Sequence, residues 1–473
     1  MSDLLHAFSE IVGAGNVLTG DAISQRSKNY WDPTPLEAKA IVRPANTIEV
    51  SQVLQICHEV NQSVVTHGGL TGLADGDHST AQDVILSLAR MNQIESIDNI
   101  GQTMNVEAGC LLEKVQSAAL DQGMQYGVDL GARGSCTIGG NIATNAGGLS
   151  VLRYGMTREQ VLGLEAVLAD GTIVSSMNSM MKNNAGYDLK QLFVGSEGTL
   201  GVVTKVVLRL RPETPYANTA ILAFESFDQV TSTLGMMCNA MNGQLNAFEV
   251  MWNDYYCLGT DESIEGTVRP PLSCEWPFYA IVESKGANMS SDQANFESAL
   301  ADALEKEFIS DAVISQSEKE RADIWSIREN VDIVLSHDPK YIYDVSLPIV
   351  EMPAYLDDVS AQLLKKWSDV AFYVYGHLAD GNLHLIVAPE PQNLGTTNVK
   401  KNLDADSEWY KFCNDVIYGP LEKLGGSVSA EHGIGLEKKP YIGFSRNHNE
   451  LSMMRLLKQA LDARNILNPG KII

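Results

Sequence analysis

Two periods of apolar residues run through the first two hundred positions, with glycine clusters between them. Ala40-Ile-Val-Arg43 reads as a strand, Thr47–Cys57 as a capped amphipathic helix, and Ser63-Val-Val-Thr66 as the next strand. Upstream, residues 1–35 read as a short helix and a loop ending in Asp32-Pro-Thr-Pro35. Downstream, Val161–Val174 predicts two strands across an Asp-Gly turn, and Val202–Leu210 a further strand. Past Arg211-Pro212 the glycine density falls and longer elements follow. Thr219–Glu225 and Phe278–Ser284 predict strands, Ser226–Met241 and Ser291–Glu307 helices, and the chain from Lys411 is expected to be mainly helical. This alternation gives an α+β protein. The expected divisions are residues 1–212, 213–410 and a helical segment 411–473.

A hairpin signal stands in the second part. Ala371-Phe-Tyr-Val-Tyr375 and Leu385-Ile-Val387 flank Gly376-His-Leu-Ala-Asp-Gly-Asn-Leu-His384, whose Ala-Asp-Gly-Asn is a turn sequence. On one extended strand, His377 and His384 would point to opposite faces. Folded across a turn they can become near cross-strand neighbours, with Cβ atoms about 5 Å apart. That spacing suits two imidazoles on one metal ion, and Glu431-His432 offers a further acid and imidazole. A lone histidine is more often a hydrogen-bonded core or surface residue; two beside a turn, with an acid–histidine pair elsewhere, favour ligands. No helical His-Glu-x-x-His is present, which leaves a metalloprotease unsupported.

Two glycine clusters invite a large polar ligand. In His67-Gly-Gly-Leu-Thr-Gly72 the backbone amides can approach a phosphate closely, although a tight turn uses the same residues. Asp129–Gly148 is longer and rich in Gly, Ser, Thr and Asn, and is expected to be a structureless cofactor-binding loop. Neither a P-loop nor the Gly-x-Gly-x-x-Gly of a dinucleotide fold occurs. The net charge of −25 argues against nucleic acid or an anionic membrane as partner. Seven scattered cysteines without a Cys-x-x-Cys pair fit reduced thiols in a cytoplasm and exclude a clustered iron–sulfur site. Met1-Ser-Asp-Leu-Leu-His has no basic region before an apolar stretch and no small-residue cleavage site, so no secretory signal is expected, and no apolar run approaches the ~18 residues of a membrane span. A cytoplasmic location is expected, with peripheral membrane association compatible with it.

Taken in order, His67–Gly72, Asp129–Gly148, Tyr187–Gly201 and the hairpin resemble the flavin-dependent D-2-hydroxyacid dehydrogenases of the vanillyl-alcohol-oxidase-like FAD superfamily. That family includes D-2-hydroxyglutarate and D-lactate dehydrogenases and the flavoprotein subunit of glycolate oxidase. The likeness runs from about Ala40 to Ile466-Leu-Asn-Pro-Gly-Lys471. It implies a two-part FAD-binding domain of the vanillyl-alcohol-oxidase (PCMH) type, an α+β cap and a helical C-terminal segment that returns to the flavin domain. By resemblance, Gly68, Gly69, Thr71 and Gly72 cradle the pyrophosphate. Ser135, Gly139, Gly140, Asn141, Thr144, Asn145 and Gly148 line the rest of FAD, with Glu197 and Val203 near its adenosine. Some relatives attach flavin through a histidine, which singles out His67; noncovalent FAD is favoured.

The same resemblance assigns His377, His384 and Glu431 to a divalent ion, expected to be zinc. It makes His432 the general base and Arg328 the substrate-carboxylate arginine. The bland alternative for Arg328 is an ion pair with a carboxylate such as Glu329. The implied reaction is oxidation of a small D-2-hydroxy acid to the 2-oxo acid with hydride transfer to FAD. Electrons would pass on to a quinone, a cytochrome, an electron-transferring flavoprotein or oxygen; a homodimer fits as well. A non-catalytic or electron-relay subunit of a glycolate-oxidase-like complex is the alternative.

Three positions depart from the hydroxyglutarate pattern. Asp332 replaces a threonine one helical turn beyond Arg328, Ile342 replaces a lysine, and Ile386 replaces an asparagine two residues after His384. The changes disfavour a distal carboxylate unless Lys340 compensates from Ile342's strand face. A short or apolar tail, as in D-lactate, is then expected to compete with D-2-hydroxyglutarate.

Overall fold

The computed structural model describes residues 2–335, 337, 340–389 and 408–473. The chain forms two units: residues 1–148, 154–212 and 431–473 make the first, residues 149–153 and 213–430 the second. The division at 212/213 falls where glycine density drops. The C-terminal segment, expected as one piece from Lys411, is instead divided at 430/431. Its first helix, Glu408–Tyr418, packs on Met352–Lys366 in the second unit. The residues after Ala430 bond to loops of the first unit.

The first unit contains two sheets. In the smaller, Ala40–Val42, Val84–Ser87 and Val64–His67 run parallel, and Val17–Leu18 pairs antiparallel at one edge. Helix Thr47–Glu59 connects two of these strands; Asn46 caps it by accepting from Glu49 N–H. At the other edge the tail returns: Val64 N–H donates to Ile466 O, and Asn468 N–H donates to Val64 O. The larger sheet is antiparallel and is centred on Val202–Pro212, which pairs with Thr103–Glu107, Val161–Val167 and Met124–Tyr126. Leu54, Leu86, Met91, Met104 and Ile138 fill the shared core.

Among the described residues, the second unit is built on a seven-stranded antiparallel sheet. Its order is Asp311–Ile314, Tyr216–Phe224, Phe278–Gly286, Leu245–Trp252, Ala371–His377, Asn382–Ala388 and Tyr341–Ser346. Ser226 and Gln229 form a reciprocal capping box that starts helix Phe227–Met241, which packs with Met289–Glu305. Helix Glu318–Glu329 serves another face of the sheet. Its Arg321, Trp325 and Arg328, spaced by helical turns, reach down to the carboxylates of Glu283 and Glu249. That helix ends at Asn330, and Asp332–Leu335 is a separate short helix. Asp332 is exposed and does not continue Arg328's helix by one turn. Among the described residues no helix is long and apolar enough to cross a membrane.

The hairpin forms with a short 3-10 turn, Leu378–Asp380, and Gly381 at φ 79°. Gly376 sits where its strand meets the return strand most closely: a Cβ there would lie 2.2 Å from Asn382 O and 2.9 Å from Leu383 Cα. Both obstacles are backbone, so relief means separating strands. Gly376→Ala is expected to lower stability by about 1–3 kcal/mol, read as a lower urea midpoint for the second unit. An unchanged midpoint would mean the hairpin tolerates the methyl.

Candidate active site

Within the second unit, His384 stands opposite Tyr375 and Tyr375 opposite Met251, while His377 pairs with Glu249. The two histidines are therefore diagonal rather than directly opposed neighbours. Diagonal side chains still meet when they are long, and the rings lie edge to face with centroids 5.3 Å apart. Each presents a nitrogen within 4.8 Å of one on the other. Both are nearly buried.

A buried carboxylate stands beside each ring. Glu249 Oε1 accepts from His377 Nδ1 at 2.7 Å, and its Oε2 accepts from Arg328 Nε at 3.0 Å. Burial alone would push Glu249 upward, but His377 and Arg328 more than offset it and hold the group below the ordinary carboxylate range. The Nδ1 proton then lies toward Glu249, so Nε2 is the nitrogen suited to a metal. Asp344, fully buried on the last strand, lies 3.7 Å from His384 Nδ1. It also accepts from Asn382 Nδ2 at 2.8 Å and from Ala430 N–H at 3.0 Å. Arg328 is buried, with its guanidinium carbon 4.5 Å above the Tyr375 ring. Its ion-pair partner is Glu249, not the adjacent Glu329. Tyr375 stacks on Tyr255, whose hydroxyl donates to Arg328 O.

Sequence reasoning missed Glu249 and Asp344. Their signal was an acid inside an apolar strand, Ala247-Phe-Glu-Val-Met-Trp252 and Tyr341-Ile-Tyr-Asp-Val345. Ile342 pairs with Ile386, and Tyr373 flanks Ile386 from the other side. Lys340 Nζ donates to His337 O.

The first unit assembles the glycine clusters. A Cβ on Gly68 would lie 2.6 Å from Thr137 Oγ1, and one on Gly69 2.2 Å from Ser135 O, so 67–72 and 135–137 touch through bare backbone. Asp129–Gly148 is not structureless: it contains helix Ile138–Thr144, capped by Thr137 and ended by left-handed Asn145. Thr137 supplies a side-chain cap that the glycine content obscured. The segment closes on itself through a bridge between Asp129 and Gly148. Glu197 N–H donates to Ala143 O, which brings the third motif to this helix. Its carboxylate accepts from Ile434 N–H and Gly435 N–H; burial pushes its pKa up against those bonds. Glu431 Oε1 accepts from Gly148 N–H at 2.6 Å, so Glu431 and His432 follow the closing glycine of the cradle. Val203 is buried on the central strand opposite Ala166.

The cradle suits a flavin nucleotide. Asn141 Oδ1 is buried with no protein partner, as an atom kept for a ligand would be, and nothing stands within 4 Å of where a Cβ on Gly72 would be. Fold and residues define a flavin-dependent oxidoreductase. The chain matches the family models "FAD linked oxidases, C-terminal domain" over residues 213–472 and "FAD binding domain" over 38–176. It is 40% identical to the mitochondrial D-2-hydroxyglutarate dehydrogenase of Bos taurus, over 92% of this chain and 77% of that protein. It is 37% identical to the D-2-hydroxyglutarate dehydrogenase of Xanthomonas citri, over 93% and 90%. Among solved structures, p-cresol methylhydroxylase superposes with a TM-score of 0.76 at 17% identity, covering 100% of this chain and 96% of that one. Alkyldihydroxyacetonephosphate synthase gives 0.73 at 16%, covering 99% and 84%. The chain therefore has the PCMH-type α+β fold and belongs to the FAD-dependent D-2-hydroxyacid dehydrogenases.

His67, at the end of its strand, is buried and its Nε2 lies 2.8 Å from Asp77 O. Burial lowers its pKa to about 4, despite the bond to Asp77. The unfolded chain binds a proton below about pH 6.5 while native His67 stays neutral, so stability is retained above that pH and falls between 6.5 and 4. The loss is on the order of 3 kcal/mol. Denaturation midpoints of wild type and His67→Asn across that range should differ by this slope; parallel profiles would exclude it.

Proposed function

We propose that this dehydrogenase oxidises a D-2-hydroxy acid with a short or apolar tail, D-lactate among them, with help from a divalent cation. The observation that carries the reading is the pair His377–His384, each beside a buried carboxylate, with the Ile342–Ile386 pair next along the same sheet face. Two imidazoles held this way suit zinc. Glu431 is the family's third ligand and His432 its base. They come one and two residues after Ala430, whose N–H Asp344 holds.

A cation bound by His377, His384 and Glu431 would supply Lewis acidity that favours loss of the substrate hydroxyl proton. FAD, when bound, supplies the hydride acceptor. The protein's own work is orientation and proton removal. Arg328, immobilised by Glu249 and Tyr375, offers a planar fork to the substrate carboxylate. His432 takes the hydroxyl proton, since an imidazole titrates near neutral pH. Noncovalent FAD is supported by His67, whose ring is buried and whose Nε2 is engaged with Asp77 O. A cytoplasmic location is supported by seven cysteines that are all free thiols.

The tail preference follows from the sheet face. Ile342 and Ile386 oppose each other where the hydroxyglutarate pattern has a lysine and an asparagine. Lys340 is turned to the His337 carbonyl, away from the role of the missing lysine, and Asp332 is an exposed acid that brings no positive charge.

The test is flavin bleaching by a panel of D-2-hydroxy acids, with and without chelator, followed by steady-state kinetics with a dye acceptor. Bleaching by D-lactate that chelator abolishes is expected, with kcat/KM for D-lactate above that for D-2-hydroxyglutarate. Ile386→Asn should narrow that gap about tenfold or more, a difference of ~1.4 kcal/mol. Preference for the five-carbon diacid would sink the apolar-tail reading, chelator-insensitive turnover would sink the metal, and a flavin that no acid reduces would point to an electron-relay subunit.

A further inference from the structure

Glu249 is 1% exposed, and its two oxygens serve different machines: Oε1 holds the imidazole of His377 and Oε2 the guanidinium of Arg328. The strand register makes this forced. Glu249 is the direct cross-strand partner of His377, while Arg328 descends from helix Glu318–Glu329. A buried carboxylate needing only neutralisation could take the arginine through both oxygens, the bidentate arrangement that guanidinium favours. Here it splits them. We infer that Glu249 is a positioning residue that sets the His377 tautomer for cation binding and the Arg328 plane for substrate binding at once. This deepens the function proposed above and rests on it.

The chemistry gives an asymmetric expectation. Arg328 Nε can only donate, so the Oε2 side must accept; His377 Nδ1 can do either. In Glu249→Gln the amide oxygen is drawn to Arg328 and the amide NH₂ is left facing His377. Nδ1 must then accept, the ring proton moves to Nε2, and the nitrogen needed for a cation is blocked. Glu249→Ala loses both contacts.

The experiment titrates zinc into the metal-free flavoprotein against a chromophoric chelator, for wild type, Glu249→Gln and Glu249→Ala. It then measures KM for the best D-2-hydroxy acid at saturating zinc. Zinc affinity should fall about 10–100-fold in both variants, the usual effect of losing a ligand's supporting hydrogen bond. KM should rise about tenfold or more in Glu249→Ala and distinctly less in Glu249→Gln. Histidine 15N correlation spectra of zinc-loaded wild type, which need no variant to fold, should find the His377 proton on Nδ1. Wild-type zinc affinity in Glu249→Gln, or a zinc-loaded His377 protonated on Nε2, overturns this inference alone. A wild-type protein that takes up no zinc overturns it together with the metal reading.

Discussion

Burying a carboxylate in the middle of a sheet costs several kcal/mol unless cations and donors meet it, and the second unit does this three times along one face. Glu249, Glu283 and Asp344 are each at most 1% exposed. Much of what covers that face answers this requirement. Helix Glu318–Glu329 brings Arg321 and Trp325 to Glu283 and Arg328 to Glu249, and Asn382 turns its amide onto Asp344. The three differ in what completes them. Glu283 is satisfied by groups of the scaffold, including Thr219 and Lys285. Glu249 and Asp344 spend part of their capacity on the two histidines.

The first unit depends on the opposite device, backbone brought close by leaving side chains out. Gly69 lies against Ser135 O, Gly139 against Ala108, and Gly148, at φ 90°, against Asp129 O. These contacts join segments that a methyl group would part. Glu197 ties the last of them down. Held at φ 48°, it turns its carboxylate onto the amides that follow His432, while its carbonyl accepts from Asn468. Glu431 is fixed in turn by Gly148 N–H. The loop carrying the expected base is thus anchored on both sides of His432.

The elements were legible because their patterns are local: strands, helices such as Ser226–Met241 and the hairpin turn all lie within a few residues of their signals. What could not be read was register and long-range pairing. Two histidines beside a turn fix neither which residue opposes which nor that Tyr375 would face His384. Glu249 is 128 residues from His377 and 79 from Arg328, and nothing near any of them signals the others. The glycine-rich stretch hid a helix because its propensity is poor and a threonine cap alone does not offset it; burial of Ile138 and Ile142, a tertiary effect, must supply the rest. The alternative reading of Arg328, an ion pair with Glu329, was drawn from sequence proximity for a related reason. A neighbour on the helix is close in sequence, yet the arginine points inward and Glu329 is exposed.

Strand geometry would also separate the proposed chemistry from the proposed selectivity. Asp344, His384 and Tyr375 form one cross-strand row, and Ile342, Ile386 and Tyr373 form the next row on the same face. Successive rows on one face lie two residues apart, about 7 Å along the strand. An extended five-carbon diacid holding its hydroxyl at the first row would bring its distal carboxylate close to the second, while the methyl of a three-carbon acid would stop short. Exchanging polar for apolar groups in the second row can therefore change which tail is tolerated without disturbing the imidazoles or their carboxylates. A charge arriving between Ile342 and Ile386 would meet no cation from Lys340, which is committed to a carbonyl. The proposed preference would then rest on the desolvation cost of that unpaired charge rather than on any attraction for a methyl group.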